Sequence, residues 1–369
     1  MRVGIMTGGG DCSGLNAAIR GVAKSLIHRA NAEIIGIEDG FLGLIERRTR
    51  PMSYDELSGI HDKGGTILGS TNKASPFNYN GKDVSADVAE YYKALDLDAI
   101  IALGGDGSMT ICYEMSKLGM NFVGIPKTID NDLSGTDRTF GFSTAVDIAT
   151  EAIDRLKTTA QSHRRVMILE TMGRYAGWIA LHAGVAGGAD IILLPEFPYD
   201  IDEIVRAIEV REKNKSFSLI VIAEGAKPKD GQLNISKVMK DSNSPEAIRL
   251  GGIGFYLQGQ LEQRITSEIR TTTLGHVQRG GSPSAFDRIF ATNLGSYAAE
   301  LVISKRFGRM VTVTNNHLSS VPLEMVAHKV RNVTINDMTL LSALALGVSI
   351  GNSTIALPES LADNQAIMG

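Results

Sequence analysis

The segment Ala99–Ser108 reads AIIALGGDGS and is followed, one helix later, by FVGIPKTIDND at Phe122–Asp132. Ala99–Leu103 is a short apolar run bounded by glycine, the pattern of a buried parallel strand. Gly104, Gly105 and Gly107 permit a tight turn and close approach of a ligand to the backbone. Ser108 is positioned as an N-cap for the following helix, whose first N–H groups would face the same crevice. The second apolar run, Phe122–Ile125, ends in Pro126 and leads to Lys127, Asp130 and Asp132. Asp106, Asp130 and Asp132 would thus lie at adjacent strand ends, a carboxylate set suited to a hard cation such as Mg²⁺ and to a general base. The competing reading is two ordinary strand-to-helix turns, in which Gly and Asp are common.

The same punctuation recurs along the chain. Val3–Thr7 is a strand leading through GGGDCSG (Gly8–Gly14) into a helix over Leu15–Ala30. The loop fits neither a dinucleotide fingerprint nor a Walker A loop, since Leu15 and Asn16 stand where the Lys and hydroxyl belong. Its backbone can still cradle phosphate. Strand and helix patterns alternate through Ala32–Ile37, Asp87–Leu97, Ser143–Thr159, Arg165–Thr171, Gly177–Val185, Ile191–Leu194, Ile201–Glu212 and Leu219–Ala223. This alternation predicts an α/β protein with doubly wound, mostly parallel sheets and ligands at the carboxyl ends of strands. Lys227–Ser244 reads as a polar surface excursion, Glu246–Thr266 as a helix, Ala285–Lys305 as another, and the last 15 or so residues as weakly constrained.

With 369 residues the chain has room for two domains, and 43% hydrophobic with 21% charged residues is a globular composition. A net charge of −4 carries no basic footprint for nucleic acid. Two cysteines exclude a disulfide framework and favour a reducing, cytoplasmic setting. Cys12 is either a small filler of a tight turn or a reactive thiol. No signal-peptide pattern and no 18-residue apolar span is present, so no membrane role is expected. Arg165, Arg174, Arg270, His276 and Arg279 fall at predicted strand ends in the second half. Each one alone reads first as a surface ion pair, but five at strand ends together suggest a substrate carrying its own phosphate, which arginine can grip. The run Arg47, Arg48 and Arg50 reads as a solvated loop.

Six motifs, GGGDCSGLNAAIRG, GGDGS, PKTIDND, MGRYAGW, the pair Glu224-Gly225 and GHVQRGGSPSAFDR, occur in an order that resembles the phosphofructokinases. The likeness covers roughly residues 1–310, and PLEMVAHKV in the tail resembles the mixed-donor branch of that family. It implies two Rossmann-like three-layer lobes with the active site in the cleft between them. Residues 1–141 plus about 280–330 would form the phosphoryl-donor lobe, and 142–279 plus about 331–369 the fructose 6-phosphate lobe. The implied reaction is phosphoryl transfer from ATP, with Mg²⁺, to the 1-hydroxyl of fructose 6-phosphate. The resemblance makes Asp130 the base, with Thr128 and Ile129 lining its loop. It makes Asp106 the metal ligand with Asp132 nearby, and Arg174 the residue that steadies the transferring group. Met172, Gly173 and Glu224 would contact the sugar. Arg165, Arg270, His276 and Arg279 would hold the 6-phosphate, with Arg165 and Arg270 reaching in from a neighbouring subunit of a homodimer or homotetramer. Gly10, Asn72, Lys73, Gly105, Asp106, Gly107 and Ser108 would hold the donor.

Two positions speak to the donor, and they disagree. Gly107 resembles the ATP type, because it leaves room for the α-phosphate; Lys127 resembles the pyrophosphate type, whose ammonium neutralises the transferring group. Steric and like-charge exclusion favours the reading from Gly107, and a pyrophosphate-dependent phosphotransferase is the alternative. Asn72, Ile111 and Ser13 depart from the usual residues of the nucleotide-side loops, and Tyr54 from the basic effector site, so weak effector control is expected. A lipid or NAD kinase shares the GGDG loop but would not need GHVQRGG, and a non-catalytic sugar-phosphate sensor would not need to keep both Asp106 and Asp130.

Overall fold

The glycine-bounded apolar runs form the strands of two mainly parallel sheets, described for residues 1–231, 235–238 and 248–358 in a computed structural model. One compact unit comprises Met1–Ala145, Val238–Ile248 and Arg279–Arg331; the other comprises Val146–Lys237, Arg249–Gln278 and Asn332–Gly369. Each carries its own apolar core. Among the described residues, no helix is long and apolar enough to cross a membrane.

In the first unit the main path of the sheet runs His317–Pro322, Arg309–Thr314, Phe122–Thr128, Ala99–Gly104, Arg2–Thr7, Glu33–Ile37, Thr49–Pro51. Its interior pairs are parallel and its two edge pairs antiparallel. Ala99–Gly104 is buried along its whole length, which is why it reads as an unbroken apolar run. Strand order reverses between Arg2–Thr7 and Ala99–Gly104, so this is the switch point at which such sheets open a binding crevice. The loops starting at Gly8 and Gly104 both leave from it, and Gly8 N–H donates to Leu103 O at 2.9 Å.

The strand beginning at Phe122 does not stop at Pro126 but runs to Thr128. Proline is tolerated there because the Arg309–Thr314 strand pairs only as far as Gly124, and the short Phe140–Gly141 strand takes over from Lys127. On that side Pro126, which has no N–H, sits between two ladders, while on the other it stands opposite Gly104. The helix Leu15–Ala30 packs closely on Ala285–Ile303 through glycines. A Cβ on Gly21 would lie 2.8 Å from Thr292 O, and one on Gly295 would lie 2.6 Å from Ala18 O. Asp287, fully buried, accepts from Gly141 N–H (3.1 Å), Thr144 N–H (2.8 Å) and Thr144 Oγ1 (2.6 Å), fastening the start of the helix Phe142–His163.

The second unit holds a four-stranded parallel sheet ordered Ile269–Thr273, Val166–Thr171, Ser218–Ala223, Ile191–Leu193. Within the described residues of the helix expected over Glu246–Thr266, only Ile253–Leu261 is α-helical, and Ile248–Leu250 is a strand. Gly251 and Gly252 lie between them at φ 135° and 81°, a conformation that ends any helical run. Half of the excursion expected over Lys227–Ser244, and the chain after residue 358, lie outside the described residues.

Asp287→Ala leaves two buried N–H groups without acceptors, each costing about 1–3 kcal/mol. The expected outcome is a loss of roughly 2–5 kcal/mol in unfolding free energy by urea titration, with Asp287→Asn intermediate.

Candidate active site

In the first unit the helix Asp106–Ser116 begins one turn earlier than the sequence indicates. Gly105 is its N-cap, and Ser108 lies buried inside the first turn instead of capping it. Asp106 therefore stands at the positive end of the helix dipole, and the early N–H groups of the helix face the crevice at the switch point. A Cβ at Gly107 would meet nothing within 4 Å, so there is open space above this turn. Asn72 and Lys73 follow a loop tied to the first glycine turn by Gly9 N–H to Thr71 O (3.1 Å) and by Ser70 Oγ to Gly9 O (2.6 Å).

Lys127 is 2% exposed, and its Nζ donates to Gly10 O at 2.5 Å. Burial pushes its pKa below the usual lysine range, offset in part by the nearby Cys12, Asp130 and Asp11. Arg279 Nη1 donates to Asp11 O at 3.1 Å, and a Cβ on Gly10 would lie 2.7 Å from the same nitrogen. The first loop is thus braced by two cations. Cys12 is fully buried, and burial pushes its thiol up to about 12, so it fills the turn and is not a reactive thiol.

The turn after Thr128 buries Asp130 (5% exposed), Asn131 and Asp132 (7%). Asp130 N–H donates to Thr128 Oγ1 at 3.1 Å, and Thr139 Oγ1 donates to Thr128 O at 2.7 Å. Asn131, at φ 54°, accepts from Thr139 N–H (3.0 Å) through its side chain, while its carbonyl accepts from Arg331 Nη2 (2.9 Å). These bonds fix the carboxylates on either side of it. Asp106, Asp130 and Asp132 do not form a three-ligand cage, for no group of three His, Cys, Asp or Glu among the described residues is arranged for a metal. Proteins commonly hold Mg²⁺ through one or two carboxylates, with phosphate oxygens and water completing the shell, and Asp106 presents one carboxylate at this turn.

In the second unit Met172, Gly173 and Arg174 follow the carboxyl end of the Val166–Thr171 strand, and Glu224 follows Ser218–Ala223 beside it. Glu224 Oε1 accepts from Arg174 N–H at 3.0 Å. Gly225 allows this approach, since a Cβ there would lie 1.9 Å from Arg174 O. His276 is exposed on the short helix Gly275–Gln278 just past the Ile269–Thr273 strand.

Arg165 and Arg270 are elsewhere. Arg165 precedes the strand Val166–Thr171, and Arg270 pairs opposite Met167, so both lie at the amino-terminal edge of this sheet. Six residues at about 3.3 Å each separate Arg165 from Thr171, roughly 20 Å. Of the basic residues expected at strand ends, Arg165 and Arg270 thus lie at the amino-terminal end of this sheet, and Arg174 and His276 lie past its carboxyl end. Arg165 and Arg270 both pair with Glu268, whose carboxyl they hold below its usual range, mainly through the Arg165 hydrogen bond. Arg48 and Arg50 are half-exposed partners of Asp39, Glu46, Glu38 and Glu56, but Arg50 lies in the edge strand Thr49–Pro51 and not in the loop expected there.

Three polar residues that position this region escaped the sequence reading. Glu170, 2% exposed, accepts from Gly252 N–H (2.9 Å) and Gly254 N–H (2.8 Å). Glu196 Oε1 accepts from Gly177 N–H and Val333 N–H, both at 2.9 Å. Gln278 Oε1 accepts from Met172 N–H at 2.7 Å. Only Gln278 had a signal, because it stands inside GHVQRGG.

A sequence profile described as Phosphofructokinase matches residues 2–302. The chain is 49% identical to the "ATP-dependent 6-phosphofructokinase 2" of Clostridium perfringens over 95% of its own length and 98% of that protein. It is 44% identical to the "Pyrophosphate--fructose 6-phosphate 1-phosphotransferase" of Streptomyces coelicolor, over 90% of this chain and 96% of that one. Among solved structures, a pyrophosphate-dependent phosphofructokinase from Marinobacter aquaeolei shares the fold, with a TM-score of 0.78 at 21% identity over 96% of this chain and 90% of that one.

Burial raises the Glu196 pKa, the two N–H bonds opposing it, and its Oε2 has no partner among the described residues. A raised carboxyl contributes stability that is full below the usual glutamate value and is lost as pH rises through the folded value. Glu196→Gln keeps the acceptor and removes the titration. The expected melting-temperature advantage of this variant is near zero at pH 4 and roughly 2 °C or more at pH 8; an equal difference at both pH values would contradict the assignment.

Proposed function

This chain belongs to the phosphofructokinase family, and we infer that it is an ATP-dependent 6-phosphofructokinase that converts fructose 6-phosphate to fructose 1,6-bisphosphate. The observation that carries the choice of donor is the open space above Gly107 at the start of the helix Asp106–Ser116. An α-phosphate has room there, and the name of the relative at 49% identity agrees. Lys127, the feature that favoured pyrophosphate, has its ammonium on Gly10 O.

The residue roles follow from the chemistry of the transfer. Asp130 takes the proton of the 1-hydroxyl as its oxygen bonds to the γ-phosphorus and the bond to the ADP oxygen breaks. Thr128 and Ile129 shape the turn that carries this carboxylate. Gly10, Asn72, Lys73, Gly105, Gly107 and Ser108 bind the donor, largely through backbone N–H groups. Asp106 would hold Mg²⁺, which when bound would neutralise charge on the phosphate oxygens. Arg174 stabilises charge on the transferring group, while Met172, Gly173 and Glu224 hold the sugar. His276 and Arg279 take the 6-phosphate. Arg165 and Arg270, on the other edge of their sheet, serve the 6-phosphate bound to a neighbouring copy in a homodimer or homotetramer.

Product formation measured side by side with ATP and with pyrophosphate tests the donor, and activity with pyrophosphate alone would reverse it. Gly107→Asp, which fills and charges the open space, is expected to lower kcat/KM for ATP by about 100-fold or more. Asp130→Ser is expected to abolish turnover while fructose 6-phosphate still binds. Hybrids of Asp130→Ser and Arg270→Ala chains, refolded together, are expected to regain activity that neither parent has. Hybrids as inactive as the parents would place Arg270 with the site of its own chain.

A further inference from the structure

The turn Met172–Gly173–Arg174 contains two successive residues in the left-handed region, Gly173 at φ 140° and Arg174 at φ 53°. Such a turn persists only where its surroundings over-determine it. Three bonds do so: Ala176 N–H to Gly173 O at 3.0 Å, Arg174 N–H to Glu224 Oε1 at 3.0 Å, and Met172 N–H to Gln278 Oε1 at 2.7 Å. Gln278 is 1% exposed, and its Nε2 has no hydrogen-bond partner among the described residues. Leaving an amide nitrogen buried and unbonded is costly, so the side chain is kept at this place for its oxygen. A leucine or methionine would fill the space without that cost.

We propose that Gln278 is a positioning residue for phosphoryl transfer, fixing Met172 N–H and thereby the direction in which the turn presents Arg174. The inference rests on the role assigned to Arg174 above. The Gly275–Gln278 helix, which carries His276 on its exposed side, is tied by Gln278 to the turn bearing Arg174. The 6-phosphate residue and the residue for the transferring group are thus set against one another by a single amide oxygen.

Gln278→Leu removes the acceptor, and Gln278→Glu keeps an oxygen at the same reach. For Gln278→Leu, kcat is expected to fall between about 10-fold and about 100-fold, the scale of a displaced catalytic group. KM for ATP is expected to stay within about 2-fold, and Gln278→Glu to recover kcat to within about 5-fold of the parent. Hydrogen exchange at the Met172 amide, followed in the full-length protein, is expected to be slow in the parent and in Gln278→Glu, and fast in Gln278→Leu. A Gln278→Leu enzyme with unchanged kcat, a folded Gln278→Glu enzyme with the full loss, or a fast-exchanging Met172 amide in the parent would each overturn the proposal. If Gln278→Leu does not fold, the kcat of Gln278→Glu and the parent's amide exchange still decide it. A parent inactive with both ATP and pyrophosphate would instead overturn the functional reading, and the exchange data would stand apart from that result.

Discussion

Backbone N–H groups in turns and at helix starts have no ladder or helix partner, and in both units side-chain oxygens accept them. Asp287 holds Gly141 and Thr144, Glu170 holds Gly252 and Gly254, Glu224 holds Arg174, and Asn131 holds Thr139. Each bond matters less for the energy it adds than for the penalty of its absence, because a buried donor without an acceptor costs about 1–3 kcal/mol. Glycine-rich loops are entropically loose. The oxygens hold these turns in one shape, among them the turn that carries Asp130 and the turn that carries Arg174.

The α/β class and most strands were legible because buried parallel strands are continuous apolar runs and glycine marks their ends. Other features depend on partners distant in the chain. The antiparallel edge formed by His317–Pro322 reads as polar sequence, and Pro126 reads as the end of a strand that in fact continues, past a gap on one side, to Thr128. Ser108 has the identity of a cap, but the helix had already begun at Asp106. A strand has two ends, and sequence spacing did not say that Arg165 and Arg270 occupy the amino-terminal one. Glu170, Glu196 and Gln278 were missed for a related reason. A single polar residue in an apolar setting carries no periodicity, and its purpose is visible only from the N–H it meets.

Lys127 shows how residue identity and residue role separate. By type it could neutralise a transferring phosphoryl group. In place, its ammonium is desolvated and directed at Gly10 O, while Arg279 reaches the next carbonyl along the same loop. Two side-chain donors on consecutive carbonyl groups fix the path of the loop at Gly10 and Asp11. A lysine read as a donor selector thus also acts as a strut.

Both cysteines are free and fully buried, and burial holds both thiols well above the usual range. Thiolate, the form that reacts, is therefore scarce at neutral pH, and access is closed as well. Cys12 lies in the first glycine loop, beside Phe140, and Cys112 on the helix that follows the second glycine turn, so both belong to the first unit. An alkylating reagent added to the native protein counts openings of that unit's core and ignores the folded majority. The molecule carries, without any engineering, its own clock for rare excursions of its first unit.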